Sequence, residues 1–304
     1  MKIKEIKSNK HIWIDIEKPS RNKLLELKKE YNFHSLDIED VLTYTQRPKI
    51  EKYKEYYFLI LRFPVYNKKS KEFSISEVDL FVGKKYFISI HRGDVEPIVK
   101  FIKACATNPE IKKENCQSSG VILYNILKNL FLYCFPIIDH INDDIDIIEK
   151  NIFKNMEKEM VEDILRVKRN IITLRRIIGP HRKLMDILEQ NGTNLLRPKM
   201  DIYFSDVTDY VERIWDILDN QRETIISLEN TNETLISHRS SEIVKTLTIF
   251  SAILLPLTLI ASIYGMNTKD TPFIDHPNSF WIIMSGMVIT VLAFLIYFMR
   301  KKWL

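Results

Sequence analysis

Apolar and polar positions follow three rhythms along this chain. Over residues 11–16, HIWIDI, they alternate one by one as in a half-buried strand. Stretches 56–66, 73–82 and 86–91 are rich in β-branched and aromatic residues between turn-like KKSK and GKK segments. Residues 21–31 instead set Leu24, Leu25 and Leu27 at helical spacing with charges between them. Strands with an interspersed helix predict an α/β domain whose sheet is mostly antiparallel or mixed, over roughly residues 1–110.

From about Gly120 the strand rhythm stops. Residues 122–178 contain one breaker, Pro136, and their apolar positions recur at three and four, which predicts one or two long helices broken at Gly179-Pro180. A shorter helix over 181–190 is expected to close before Asn191-Gly192. After Pro198 no proline follows until Pro256, and no glycine lies between Gly192 and Gly265. Across that interval Val207, Val211, Ile214, Leu218, Ile225, Leu228 and Leu235 keep a three-four spacing, with polar Gln221, Asn232 and Arg239 on the same seam. One helix from about Met200 to Gly265 is predicted, on the order of 100 Å long at 1.5 Å per residue. Such a seam either holds copies of the chain together or makes the helix a rigid lever; spacing leaves both open.

The third rhythm is unbroken apolarity. Residues 246–268 and 280–299 contain no Asp, Glu, Lys or Arg, and each run is long enough to cross a hydrocarbon core of ~30 Å. The first run has one distinct face. Thr248, Ser251, Thr258 and Ser262, spaced by three, seven and four, share a narrow sector with Val244 and Leu255. Small hydroxyl residues either let helices pack closely or line water. The second run, with Trp281 and Tyr297 as interfacial anchors, reads as a lipid-facing wall.

The expected architecture is therefore an α/β N-terminal cytoplasmic domain (1–120), a long α-helical stalk (121–245) and two C-terminal transmembrane helices in a hairpin (246–304, spans about 246–266 and 280–299). With 45% hydrophobic and 28% charged positions, the chain has room for a soluble core besides the hairpin. A net charge of only +5, from interleaved acids and bases, argues against a nucleic-acid surface. Cys105, Cys116 and Cys134 form no CxxC pair and fit a reducing compartment. Residues 1–19 lack the apolar core of a signal peptide. Arg239 and Lys245 precede the first span and Arg300, Lys301 and Lys302 follow the second, while Lys269, Asp270, Asp275 and His276 lie between, so both termini are expected in the cytoplasm of a cell (inner or plasma) membrane protein. Walker A, GxGxxG and HExxH patterns are absent, and the seven histidines do not cluster at zinc spacing; neither an enzyme nor an organic cofactor is indicated.

Tyr264-Gly265-Met266-Asn267 closes the first span, ahead of a short loop, the second span and the basic KKWL end. Gly-Met-Asn alone is an ordinary glycine C-cap; at this place it resembles the signature of the CorA family of divalent-cation channels. Residues 35–53, SLDIEDVLTYTQRPKIEKY, resemble the same family in an acidic helix running into a QRPK turn and a strand.

The resemblance implies a homopentamer in membrane lipid that conducts Mg²⁺, with Co²⁺ and Ni²⁺ as further candidates. One Asn267 per chain would ring the outer mouth, Gly265 would let the backbone turn, and Tyr264 would pack behind the loop. The stripe of Val244, Thr248, Ser251, Leu255, Thr258 and Ser262 would line the pore, with Leu255, Val244 and Leu247 as a hydrophobic constriction. Family members often carry an Asn at the cytoplasmic entrance, where this chain has Ser241. Residues 203–206, YFSD, resemble a cation-sensing segment, and Asp40 with Glu39 matches its acidic partner; intracellular Mg²⁺ is expected to bridge Asp40 and Asp206 between protomers and close the pore. Where some members add an acid in the helix at 124–130, this chain has Lys128.

Asp37, Glu39 and Asp40 otherwise read as one exposed acidic patch, and Asp139, Asp143, Asp144 and Asp146 as solvated. Alternatives are a zinc transporter of the same topology and a membrane-anchored cation-sensing scaffold.

Overall fold

The computed structural model describes residues 1–7, 11–43, 47–67, 72–154, 156, 158–191, 200–266 and 277–303. It divides into two units, Met1–Glu229 and Asn230–Leu304.

Six strands of the first unit form one mixed sheet. β1 (Lys2–Lys7), β2 (Ile12–Glu17), β3 (Lys49–Lys52), β4 (Tyr56–Asn67), β5 (Glu72–Gly83) and β6 (Tyr86–His91) lie in the order β1-β2-β6-β5-β4-β3. Only β2 and β6 pair in parallel. The two edge strands are lysine-rich and mostly exposed, a composition that discourages further pairing and hides them from an alternation test. Pro64 sits in β4 beyond the end of β3, where the missing N–H breaks no second ladder.

Both faces of the sheet are covered. Ile14, Ile16, Ile60, Phe81, Ile88 and Ile90 pack under helices α1 (Arg21–Tyr31) and α2 (Ser35–Leu42) through Leu24, Leu27, Phe33 and Ile38. On the opposite face Trp13 meets Phe101 of α3 (Glu96–Thr107), while Phe63 meets Phe131 of α5 (Ser119–Leu132) and His181 of α7 (Met160–Asn191). A short α4 (Pro109–Asn115) precedes α5.

The helix expected to break at Gly179-Pro180 does not. α7 runs through both residues, and the interruptions fall at Tyr133 and between residues 153 and 159. Pro136 lies in the first turn of α6 (Cys134–Ile152), where a missing N–H costs nothing. At Pro180 tertiary contacts hold the helix together. Trp215 leans so close to Gly179 that an added Cβ would stand 3.2 Å from its ring. Arg175 and Arg182 stack on that indole at 4.2 and 5.0 Å and pair with Asp219 and Glu212.

α8 (Asp201–Gly265) is a single helix of 65 residues, as expected. Its apolar seam has a use the spacing did not reveal: Val207, Val211, Ile214, Leu218 and Ile225 are buried inside the chain, and Gln221 Nε2 donates to the Ile138 carbonyl at 3.0 Å and to Asn142 Oδ1 at 2.7 Å. Over this stretch the seam is core rather than a surface kept for other copies. The second unit holds the rest of α8 and α9 (Ser279–Arg300), with Lys245 Nζ donating to the Lys302 carbonyl at 3.4 Å.

Candidate ion-conducting face and acidic sites

Among the described residues three helical stretches are long and apolar enough to cross a membrane: Ser119–Ile152, Asp201–Gly265 and Ser279–Arg300. The first is half-buried against the soluble core and interrupted at Tyr133; the apolar parts of the other two are almost wholly bare. The two bare stretches coincide with the apolar runs at 246–268 and 280–299 and are the candidate membrane spans.

The first span has one covered flank, and the rest of its surface, Leu247, Phe250, Leu254 and Leu259 as well as the hydroxyl positions, is exposed. Ile249 is buried, and Ala252, Ile253, Pro256, Leu257, Ile260 and Tyr264 are half-buried, forming one covered flank. Ser241, Val244, Thr248, Ser251, Leu255, Thr258 and Ser262 all lie outside it and are exposed, Leu255 by 69%. Among the described residues the hydroxyl stripe is left exposed by the rest of the chain. Ser241, Thr248 and Thr258 donate their hydroxyl protons to the carbonyls of Ser237, Val244 and Leu254 at 3.0, 2.8 and 2.8 Å. Each oxygen is left with lone pairs facing outward, an acceptor for water.

Gly265 is the last helical residue and takes no left-handed φ; an added Cβ would meet nothing within 4 Å. Met266 continues with its N–H on the Ile263 carbonyl at 3.3 Å. Asn267 and the loop 267–276, with Lys269, Asp270, Asp275 and His276, fall outside the described residues, so the packing expected of Tyr264 against Asn267 does too.

The acidic helix α2 does not present one uniform patch. Asp37 is buried and accepts from Tyr53 Oη at 2.9 Å and Tyr56 Oη at 2.7 Å; burial raises its pKa against the pull of those two bonds. It ties α2 to the sheet. Glu39 is exposed, while Asp40 is half-buried and paired with Lys49 at 2.6 Å.

On α8, Asp206 accepts from Tyr124 Oη at 2.8 Å and lies 3.6 Å from Lys128 Nζ, which itself donates to Tyr124 Oη at 3.0 Å. That bond to Tyr124 is the main reason the Lys128 ammonium is held well above its ordinary pKa. Both expected sensing carboxylates therefore carry a lysine partner within the chain, a feature the spacing could not show. Asp144 pairs with Arg166 at 2.8 Å, and among the described residues no three His, Cys, Asp or Glu side chains are placed to ligate a metal together.

The described residues combine an α/β domain with a helix of 65 residues and two bare apolar stretches, in α8 and α9, long enough to cross a membrane. The family model described as "CorA-like Mg2+ transporter protein" matches residues 8–301, and the chain belongs to that family. It is a transporter of divalent cations.

Among relatives, the cobalt/magnesium transport protein CorA of Thermotoga maritima is 30% identical over 296 residues, covering 96% of this chain and 83% of that one. A putative metal ion transporter of Bacillus subtilis, YfjQ, is 30% identical over 292 residues, covering 96% and 89%. The complete structure of the CorA magnesium transporter from Methanocaldococcus jannaschii superposes with a TM-score of 0.83 at 22% identity, covering 97% of this chain and 92% of that one.

Proposed function

We propose that this protein is a Mg²⁺ channel that also admits Co²⁺ or Ni²⁺. The observation that carries the reading is the bare stripe of Thr248, Ser251, Thr258 and Ser262 on a span that ends at Tyr264-Gly265-Met266. Two spans cannot enclose a pore, so several copies, five by the family resemblance, gather around an axis with this stripe inward. Mg²⁺ gives up its waters reluctantly. Hydroxyl oxygens whose own protons are already committed to the helix accept hydrogen bonds from those waters, and the neutral amide oxygen of Asn267 does the same at the outer mouth. Gly265, with open space where a Cβ would stand, lets neighbouring copies approach there. Leu255 and Val244 interrupt the stripe as a constriction that closes by dewetting. With both termini in the cytoplasm, the membrane potential supplies the work, about 4.6 kcal/mol per divalent ion at 100 mV.

For regulation, intracellular Mg²⁺ bridges Asp40 of one protomer and Asp206 of the next, with Glu39 beside it, and holds the pore shut. Lys49 and Lys128 compete for the same carboxylates, so the ion closes this channel only at a concentration that outweighs them. Unchanged closure in Asp206→Ala would remove this part of the reading.

The test is ion uptake in cells lacking their own magnesium transport, with separate Mg²⁺, Co²⁺, Ni²⁺ and Zn²⁺ arms and with Asn267→Ala beside wild type. Mg²⁺ uptake that is lost in Asn267→Ala is expected. Uptake of Zn²⁺ alone makes the protein a zinc transporter, and no uptake of any ion makes the hairpin a tether.

A further inference from the structure

Lys245 stands just before the charge-free run at 246–268, and Arg300, Lys301 and Lys302 stand just after the one at 280–299. In a bilayer that both runs cross, charges at those positions lie in the headgroup layer. The fold brings them to one and the same layer, because Lys245 Nζ on α8 donates to the Lys302 carbonyl beyond α9 at 3.4 Å.

The way α9 ends leaves these charges unused. Lys302 takes a left-handed φ of 56°, a conformation that glycine adopts freely and lysine does not. Around it the Lys302 and Trp303 N–H groups donate to the Met299 and Phe298 carbonyls at 3.1 and 2.9 Å, and the Trp303 and Phe298 rings stack with their planes 16° apart. Helices commonly stop this way around a glycine; here a lysine holds that place. The Tyr297, Phe298 and Met299 carbonyls already have backbone donors, so the side chains of Arg300, Lys301 and Lys302 are not needed to cap the helix.

No acid answers them either. Residues 277–304 contain no Asp or Glu, and Glu242, the acid nearest to Lys245 along α8, lies 3.9 Å from His238. Among the described residues none of the four cations is paired with a carboxylate. Arg300, Lys301 and Lys302 are exposed, as are Tyr297 and Trp303 beside them, and Lys301 Nζ stands 6.0 Å from the centre of the Tyr297 ring.

The chemistry of the partner follows. Four cations without an internal counterion suit a phosphate, to which a guanidinium donates two parallel bonds and an ammonium a single one. One turn and more inward along α9, Ile296 and Leu292 are exposed and apolar. A free anion has nothing to lay against them, whereas a lipid has acyl chains.

We propose that the basic end of the hairpin binds the headgroup of an anionic lipid, with Lys245 from α8 and Arg300, Lys301 and Lys302 from the end of α9 as donors to its phosphate. The site needs the two apolar stretches to cross a bilayer, but no pore, transported ion or neighbouring copy.

Full-length protein, delipidated in a neutral detergent, is offered equal amounts of phosphatidylglycerol and phosphatidylcholine, and the lipid retained is counted by native mass spectrometry. Wild type is expected to keep at least tenfold more phosphatidylglycerol than phosphatidylcholine. Lys302→Gly retains the left-handed turn while removing one ammonium; it should melt no lower than wild type and lose about fivefold in preference. Lys245→Gln should lose a similar factor from the other helix, and Lys4→Gln, on exposed β1, should lose none. Equal retention of both lipids by wild type, or a preference unchanged in both Lys302→Gly and Lys245→Gln, would overturn the proposal. So would displacement of phosphatidylglycerol by inorganic phosphate at the same concentration, which would make this a site for a free anion. Because lipid is counted directly, the result does not depend on whether the protein conducts.

Discussion

His181 shows how much one buried side chain can decide. It is fully buried between Phe63 and Phe131, with Nδ1 donating to the Ile177 carbonyl at 2.8 Å and Nε2 accepting from the Arg62 backbone N–H at 3.4 Å. Burial lowers its pKa from 6.5 to about 4, outweighing the bond to Ile177. Between those two values the unfolded chain binds more protons than the folded one, so the stabilising neutral form is fully present above about pH 6.5 and is lost as pH falls towards 4. The expected loss from this residue is about 3 kcal/mol over that window. Denaturant unfolding of wild type and His181→Gln at a series of pH values checks it: the variant should show a shallower decline. Asp37 makes the same point about legibility. In the sequence it is one of three acids on a short helix, but tyrosines 16 and 19 positions further on bury and bind it, and long-range pairing of that kind leaves no local trace.

Elements are where propensity and packing compete. A proline inside a helix costs about 3 kcal/mol in isolation, which is why Gly179-Pro180 reads as a break. In the folded chain Trp215 occupies the space above Gly179, with two arginines stacked on its ring, and together these contacts outweigh the lost bond. Gly179→Val should therefore destabilise the protein by about 2 kcal/mol through overpacking against Trp215, measured as a lower melting temperature, and Trp215→Ala should relieve part of that loss.

On the first span the Thr248 and Thr258 hydroxyl oxygens are acceptors for water. Thr248→Val and Thr258→Val keep the shape but remove the oxygens that face outward. Mg²⁺ flux in proteoliposomes is expected to fall several-fold with the assembly unchanged by size-exclusion chromatography, whereas Leu255→Ser should leak under closing conditions by wetting the constriction. Equal flux in both Thr→Val variants would make the hydroxyls helix-packing groups only.

At the scale of the whole molecule, the proposed closure by Mg²⁺ turns on how Asp206 is charge-compensated. Lys128 shares Asp206 with Tyr124 and stacks over the rings of Tyr124 and Tyr210 at 5.4 and 5.8 Å. Lys128→Met leaves the Asp206 charge without its ammonium, so a divalent cation binds there more tightly, and the internal Mg²⁺ concentration that half-closes the channel should fall by about tenfold. Patch-clamp recording of inside-out patches reads the shift directly. No shift would mean that closure does not pass through Asp206.

The sequence alone determined the parts set by local chemistry repeated over many residues: the strand segments rich in β-branched and aromatic residues, the 65-residue helix without an interior glycine, and two charge-free apolar stretches; the alternation read over residues 11–16 did not hold, because β2 lies between two strands and is buried on both faces. These follow from backbone periodicity and from the cost of carrying charge into lipid, both of which act position by position. Tertiary structure alone decided that the α8 seam is core, that Gly179-Pro180 stays helical, and that Lys49 and Lys128 neutralise Asp40 and Asp206. Each of these rests on groups brought together from distant parts of the chain. Burial, which sets the price of an unpaired charge, does not exist until the chain has folded.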